Sequence, residues 1–88
     1  MKQGDLVYLV SASSPSMLEI SRAELLYSPE GRELASLRIK EPLYASPKAK
    51  GFALQAGDFS KVHPDNLYKT LIEAKRFIIS RLFWWYSG

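Results

Sequence analysis

Few side chains in this sequence have the chemistry that catalysis needs, and they are dispersed along the chain. One histidine, His63, precedes Pro64 in a predicted turn, while Asp5, Asp58 and Asp65 also fall in turns. General acid–base catalysis requires two such groups held together in a cleft, whereas carboxylates at turns are ordinarily solvated. The sequence therefore predicts a protein that is not an enzyme.

The missing residue types narrow the chemistry further. The chain contains no cysteine, so disulfides, thiolate metal sites and cysteine nucleophiles are all excluded. Its serines lack the G-x-S-x-G pattern of a nucleophile elbow, and its five glycines are isolated turn residues rather than a phosphate-binding loop. We expect no metal and no small-molecule cofactor, and a reducing, cytoplasmic setting.

A cluster of cationic and aromatic residues runs from Arg81 to Tyr86. Such residue types anchor protein interfaces, complete small cores or rest at a membrane surface. We interpret the cluster first as a surface for a protein partner or for self-association. The candidate partner-binding residues are Phe77, Arg81, Trp84 and Trp85.

Basic residues suggest an alternative function, nucleic-acid binding. The chain has a formal net charge of +3 and a pI near 9.3, and the segment from Lys61 onward accounts for that whole surplus. Cationic side chains neutralise phosphates, and exposed aromatic rings stack on bases. The candidate basic residues are Lys48, Lys50, Lys61, Lys69, Arg76 and Arg81, with Tyr44, Phe52 or Tyr68 available for stacking. No helix-turn-helix or similar recognition signature accompanies them.

A C-terminal helix over about 70–86 must position the aromatic cluster. Thr70 followed by Glu73 forms a capping box, in which each side chain satisfies an orphan backbone donor. The predicted core stripe consists of Leu71, Ala74, Ile78, Leu82 and Trp85, widened on one side by Ile72, Ile79, Phe83 and Tyr86. Phe77 and Trp84 are expected to lie off this stripe, beyond a narrow polar wedge. The helix thus has more apolar perimeter than one sheet can cover.

The first part of the chain is predicted to begin with a strand. Residues 6–10 are rich in β-branched and aromatic types, and a Ser/Pro loop over 11–16 is expected to end that strand. The stretch 15–27 stays open between strand and helix, because Ser16 and Glu19 also fit a helical capping box.

Two hairpins are predicted after that first strand. Segments 25–27 and 34–39 flank Ser28-Pro29-Glu30-Gly31, whose residue types match a type I turn. Segments 52–56 and 59–62 are separated by a Gly-Asp turn and form the second predicted hairpin. The sheet is therefore expected to span about 5–62.

We expect a single α+β domain over 1–88, with about five strands in a strongly bent antiparallel sheet or small barrel and one amphipathic C-terminal helix. Lys2-Gln3-Gly4-Asp5-Leu6-Val7-Tyr8-Leu9-Val10 resembles the opening strand of Src-homology-3-like small barrels, including KOW and Tudor modules, and the later strands are similar in plan. Segment 67–74 is also similar to the capped helix that closes many small bacterial and phage proteins. These resemblances imply a binding module but transfer no binding residue.

The leading functional prediction is a non-catalytic interaction module that binds a protein partner or itself through the C-terminal aromatic helix. Nucleic-acid binding is the alternative, and a membrane-surface accessory role is the third reading. Neither a signal peptide nor a membrane span is expected, because the sequence has no run of about 18 uncharged apolar residues.

Overall fold

The structure is a computed structural model that describes residues 2–14, 17–28, 33–46 and 52–87, with the backbone alone for Ser13, Ser14, Met17 and residues 81–87. The strands are β1 (Leu6–Ser14), β2 (Met17–Tyr27), β3 (Ala35–Ala45), β4 (Phe59–Val62) and β5 (Leu67–Tyr68). A 3-10 turn, Pro64–Asn66, precedes β5, and helix α1 spans Leu71–Ser87. The predicted α+β class is confirmed.

The five strands form one antiparallel sheet in the order β4-β3-β2-β1-β5, which does not close into a barrel. The first four strands pair with their neighbours in the sequence. The short β5 returns to the other side of β1, where Tyr68 lies opposite Tyr8. Register shifts interrupt the β2–β3 pairing, one of them beside Pro42, which has no backbone donor for a regular ladder.

Segment 15–27, for which the sequence allowed either a strand or a helix, contains strand β2 (Met17–Tyr27). Its residues pair with β1 on one side and β3 on the other, so the helical reading of 15–27 is wrong for the described residues 17–27. Both faces of β2 are buried around Leu18, Ile20 and Ser21, which hides the alternation that usually reveals a strand. The predicted loop over 11–16 is wrong for residues 11–14, which continue β1 to Ser14, and residues 15 and 16 lie outside the described residues.

The second predicted hairpin is wrong in its first half. Residues 52–58 form bends and a turn, and β4 pairs with β3 instead. Side chains occupy the backbone donors that a strand would need: Gln55 N–H donates to Asp58 Oδ2 at 2.8 Å, and Ala53 N–H donates to Glu19 Oε2 at 3.1 Å. The sheet also continues past residue 62, because strand β5, which the sequence did not predict, pairs with β1.

Apolar side chains are buried on both faces of the sheet. One cluster, here called the sheet core, contains Val7, Leu9, Ala23, Leu25, Ala35, Leu37, Ile39 and Leu67. A second cluster, the helix core, contains Val10, Leu18, Ile20, Ala74 and Ile78. Because Leu9 and Val10 are adjacent in β1 and point to opposite faces, the strand divides the two clusters.

Helix α1 begins as the capping pattern predicts. Glu73 N–H donates to Thr70 Oγ1 at 3.2 Å, so the threonine side chain satisfies a donor of the first turn. Ala74 and Ile78 are 0% and 1% exposed and Leu71 packs beside them, which confirms these three positions of the predicted core stripe. The helix packs on β1, β2 and β5.

Candidate interaction surfaces

The outer flank of α1 carries two exposed isoleucines. Ile72 and Ile79 are 64% and 65% exposed, and their spacing of two helical turns stacks them on one line. The sequence suggested that they would widen the core stripe, but the structure turns them toward solvent. Because the two side chains are stacked, they form one contiguous apolar strip on the helix surface, opposite the buried Ala74 and Ile78.

Two cations frame this isoleucine pair. At about 100° per residue, Lys75 lies on one side of the Ile72–Ile79 line and Arg76 on the other. Both residues are exposed, and neither forms an ion pair within the described part of the chain. We call the four residues Ile72, Lys75, Arg76 and Ile79 the helix flank.

Phe77 does not lie off the core face as the sequence predicted. It is partly buried against the helix core, and its ring centroid lies 5.7 Å from that of Tyr68 in a tilted arrangement. The cause is β5, which brings Tyr68 beside the helix. Of the other candidate partner-binding residues, Arg81, Trp84 and Trp85 have side chains outside the described residues.

The candidate nucleic-acid residues do not form one patch among those described. Lys61 lies on β4, Lys69 follows β5 at the other end of the strand order, and Arg76 lies on α1. Lys48 and Lys50 lie outside the described residues, as does the side chain of Arg81. Lys69 instead lines an open cleft of about 530 Å³ with Lys2, Asp5, Leu6 and Val7.

A second exposed surface lies on the outer face of β3 and β4, the face that carries Arg38 and Phe59, and it was not predicted from the sequence. Phe59 is 68% exposed, and the Arg38 guanidinium carbon lies 5.0 Å from its ring centroid. Such stacking is an ordinary cation–π geometry. The missed signal is positional, because only the β3–β4 register places Arg38 opposite Phe59.

Ion pairs neutralise most of the other charges on this outer face. Arg22 bonds Glu41, and Lys40 Nζ lies 3.3 Å from Glu24 Oε1. By contrast, Arg38 has no acidic partner within the described ranges. The uncompensated positive charge therefore lies next to Phe59.

Two polar residues of types that catalysis or metal binding can use, His63 and Glu19, make structural hydrogen bonds in this fold. His63 Nδ1 accepts from Asp65 N–H at 3.2 Å and so caps the 3-10 turn. Glu19, 8% exposed, accepts from Ala53 N–H and from Ser11 Oγ at 3.3 Å, which fastens the 52–58 loop to the sheet. Within the described residues, no group of three or more metal-ligating side chains comes together.

Comparisons with protein-family models, with curated proteins and with solved structures found no match to this chain. Over the part of the chain that the structure covers, no helix has the length and apolar character needed to cross a bilayer.

Proposed function

We propose that this domain is a non-catalytic protein-interaction module whose docking surface is the helix flank. The observation that carries the proposal is the exposure of Ile72 and Ile79, at 64% and 65%, on the side of α1 that faces away from the sheet. Covering the exposed part of each side chain is worth about 1–2 kcal/mol, which is the scale of an interface anchor. Arg81, Trp84 and Trp85 remain candidate residues of this surface on sequence grounds.

The charges around the isoleucines favour an acidic partner over a second copy. If two α1 helices packed antiparallel with Ile72 against Ile79 of the other copy, Lys75 and Arg76 of both copies would meet at the centre. Like charges in that position disfavour the pairing. An apolar protein segment flanked by carboxylates satisfies both the isoleucines and the cations, so the proposed partner is an acidic amphipathic segment.

We also propose that the fold is related to Src-homology-3-like small barrels, whose members are binding modules. Three features support it: the strand succession, the return of β5 to pair with β1, and a sheet core to which no described residue of α1 contributes. In such a fold the sheet curves over its own core, and here Leu54 and Val62 also pack against that core. Binding modules of this kind carry their function on surface patches, in keeping with a docking role and with the cytoplasmic setting expected from the sequence.

The test compares partner recovery by three proteins. The double variant Ile72→Gln plus Ile79→Gln should lose, by about a hundredfold, the affinity for acidic partners that the wild-type domain binds. Leu34→Gln is the matched control, because Leu34 is 49% exposed and precedes β3, away from α1. Quantitative affinity recovery, followed by titration of each recovered protein, gives the ratio.

Three outcomes would contradict the proposal. Equal affinity of the double variant and the wild type would remove the helix flank from the interface. Concentration-dependent sedimentation that the double variant abolishes would replace the acidic partner by a second copy. Salt-sensitive binding to oligonucleotides that the double variant retains would favour the nucleic-acid alternative.

A further inference from the structure

The outer edge of β4 pairs with no other strand among the described residues. Phe59–Val62 pairs with residues 35–38 of β3 on one side, and β4 is the terminal strand of the sheet. An unpaired edge presents a row of backbone donors and acceptors to any extended chain. The side chains beside it then decide which chain can pair there.

Two hydrogen bonds establish which β4 residues point outward. Ile39 N–H donates to the Asp58 carbonyl at 2.8 Å, and Gly57 N–H donates to the Ile39 carbonyl at 2.8 Å. Ile39 thus faces the β4 side, and backbone directions alternate along a strand. Leu37, two residues earlier, must therefore bond Ser60.

The remaining β4 residues, Phe59 and Lys61, consequently direct their N–H and C=O groups to the free edge. No hydrogen bond from the described residues reaches those outward groups. Their side chains share the outer face of the sheet with Ser36, and together they border a shallow groove of about 310 Å³. A chain placed along the edge would meet an aromatic ring and an ammonium group.

The charge beside the edge selects the partner. On the same face Arg22 and Lys40 are neutralised by glutamates, whereas Arg38 and Lys61 have no acidic partner among the described residues. Arg38 already stacks on Phe59, so its positive charge lies next to the ring. An incoming carboxylate would be stabilised here, and an incoming cation would be repelled.

We propose that the β4 edge receives an extended acidic peptide segment of a partner protein as a sixth, antiparallel strand. Antiparallel pairing is the more stable arrangement per residue and continues the pattern of the sheet. A peptide carboxylate then lies opposite Lys61, and the apolar residue two positions later lies opposite Phe59. The recognised pattern, read from the N-terminus, is acidic, any residue, apolar. This surface is separate from the helix flank.

The probe is the synthetic peptide acetyl-Thr-Thr-Glu-Thr-Val-Thr-Thr-amide, followed by amide NMR and hydrogen exchange. In the free protein the amides of Phe59 and Lys61 should exchange faster than those of Ser60 and Val62. Peptide should protect the two outward amides by about tenfold or more and shift β4 resonances. The same peptide with lysine in place of glutamate should bind about tenfold more weakly.

N-methylated peptides test the pairing itself without altering the protein. A methyl group on the glutamate nitrogen removes a donor that faces β4, and it should abolish binding. A methyl group on the threonine between glutamate and valine points away from β4, so that peptide is the matched control and should bind as the parent does.

A backbone variant gives the complementary test. Lys61→Pro removes the outward N–H but no bond to β3, and should weaken peptide binding at least about tenfold, more than Lys61→Ala does. The Ile72→Gln plus Ile79→Gln variant should bind the peptide normally, which separates this site from the helix flank. The proposal is overturned if both N-methylated peptides bind equally, if the peptide shifts α1 rather than β4, or if a single-stranded oligonucleotide protects the outward amides and the peptide does not.

Discussion

Two buried serines should respond to alanine substitution with opposite signs. Ser21 is 0% exposed, and its Oγ is a buried polar atom without a hydrogen-bond partner in the described part of the structure. Ser46 is 2% exposed, and its Oγ accepts from Leu18 N–H at 3.0 Å. Burial is matched, so the two substitutions differ mainly in whether a hydrogen bond is lost.

The magnitudes follow from that difference. Leaving a buried donor or acceptor unsatisfied costs about 1–3 kcal/mol. Ser21→Ala removes such a group and should raise the free energy of unfolding by about 1 kcal/mol. Ser46→Ala leaves Leu18 N–H buried without its acceptor and should lower the free energy of unfolding by about 1–3 kcal/mol.

Denaturant unfolding followed by tryptophan fluorescence measures both values against the wild type, and the slope of unfolding with denaturant should stay unchanged. In thermal unfolding the Ser21 variant should melt about 4–8 °C higher for each kcal/mol gained. A Ser21→Ala protein that is less stable than the wild type by about 1 kcal/mol or more would contradict this prediction, because the Ser21 hydroxyl would then have a partner. Equal effects of the two substitutions would refute it as well.

Three further predictions concern other parts of the fold. Ile78→Ala should lower the free energy of unfolding by about 2–4 kcal/mol and Ile79→Ala by under about 1 kcal/mol, because Ile78 is 1% exposed and Ile79 65%; denaturant titration compares the two. Gly57→Ala should cost about 1 kcal/mol by the same titration, since Gly57 has φ +94° and no atom within 4 Å of an added Cβ, so strain alone acts. Tyr27 donates to Glu33 Oε2 at 2.6 Å, and that bond to a carboxylate raises the pKa of Tyr27 above its usual 10.0. The stabilisation from this bond is therefore present below the usual pKa of tyrosine and disappears as pH rises through the raised pKa of Tyr27. In an absorbance titration, Glu33→Gln should lower the pKa of Tyr27. In a protein that already carries Tyr27→Phe, Glu33→Gln should leave the tyrosine titration unchanged.

The elements that the sequence predicted well are those governed by local signals. The capping residue Thr70 and the core positions Ala74 and Ile78 lie within one short segment, so spacing alone identifies them. The start of the first strand also follows from adjacent residues, whereas Pro29, Glu30 and Gly31 of the predicted type I turn lie outside the described residues. Local agreement between residue type and backbone geometry is what makes such predictions succeed.

The errors all arise from contacts between distant residues. Residues 52–56 look like a strand, but Glu19, from β2, takes the Ala53 donor. The orientation of α1 depends on β5, a two-residue strand that exists only because β1 offers a free side. No local pattern of two residues reveals such a strand, so the rotation that turns Phe77 inward and Ile79 outward could not be predicted.

A partner that binds both proposed surfaces at once has a higher affinity than a partner that binds either surface alone. Pairing along four residues of β4 offers few backbone hydrogen bonds, each worth only about 0.5–1.5 kcal/mol, so the edge alone binds weakly. The helix flank lies toward the other end of the strand order, because α1 packs on β1, β2 and β5 whereas β4 is the terminal strand at the opposite end. One partner that engages both surfaces makes its second contact intramolecularly, and its affinity then exceeds that of either contact alone. For such a partner, a substitution at Lys61 or at Ile79 should weaken binding by no more than it weakens the isolated contact, because the other contact still holds the partner once one is lost.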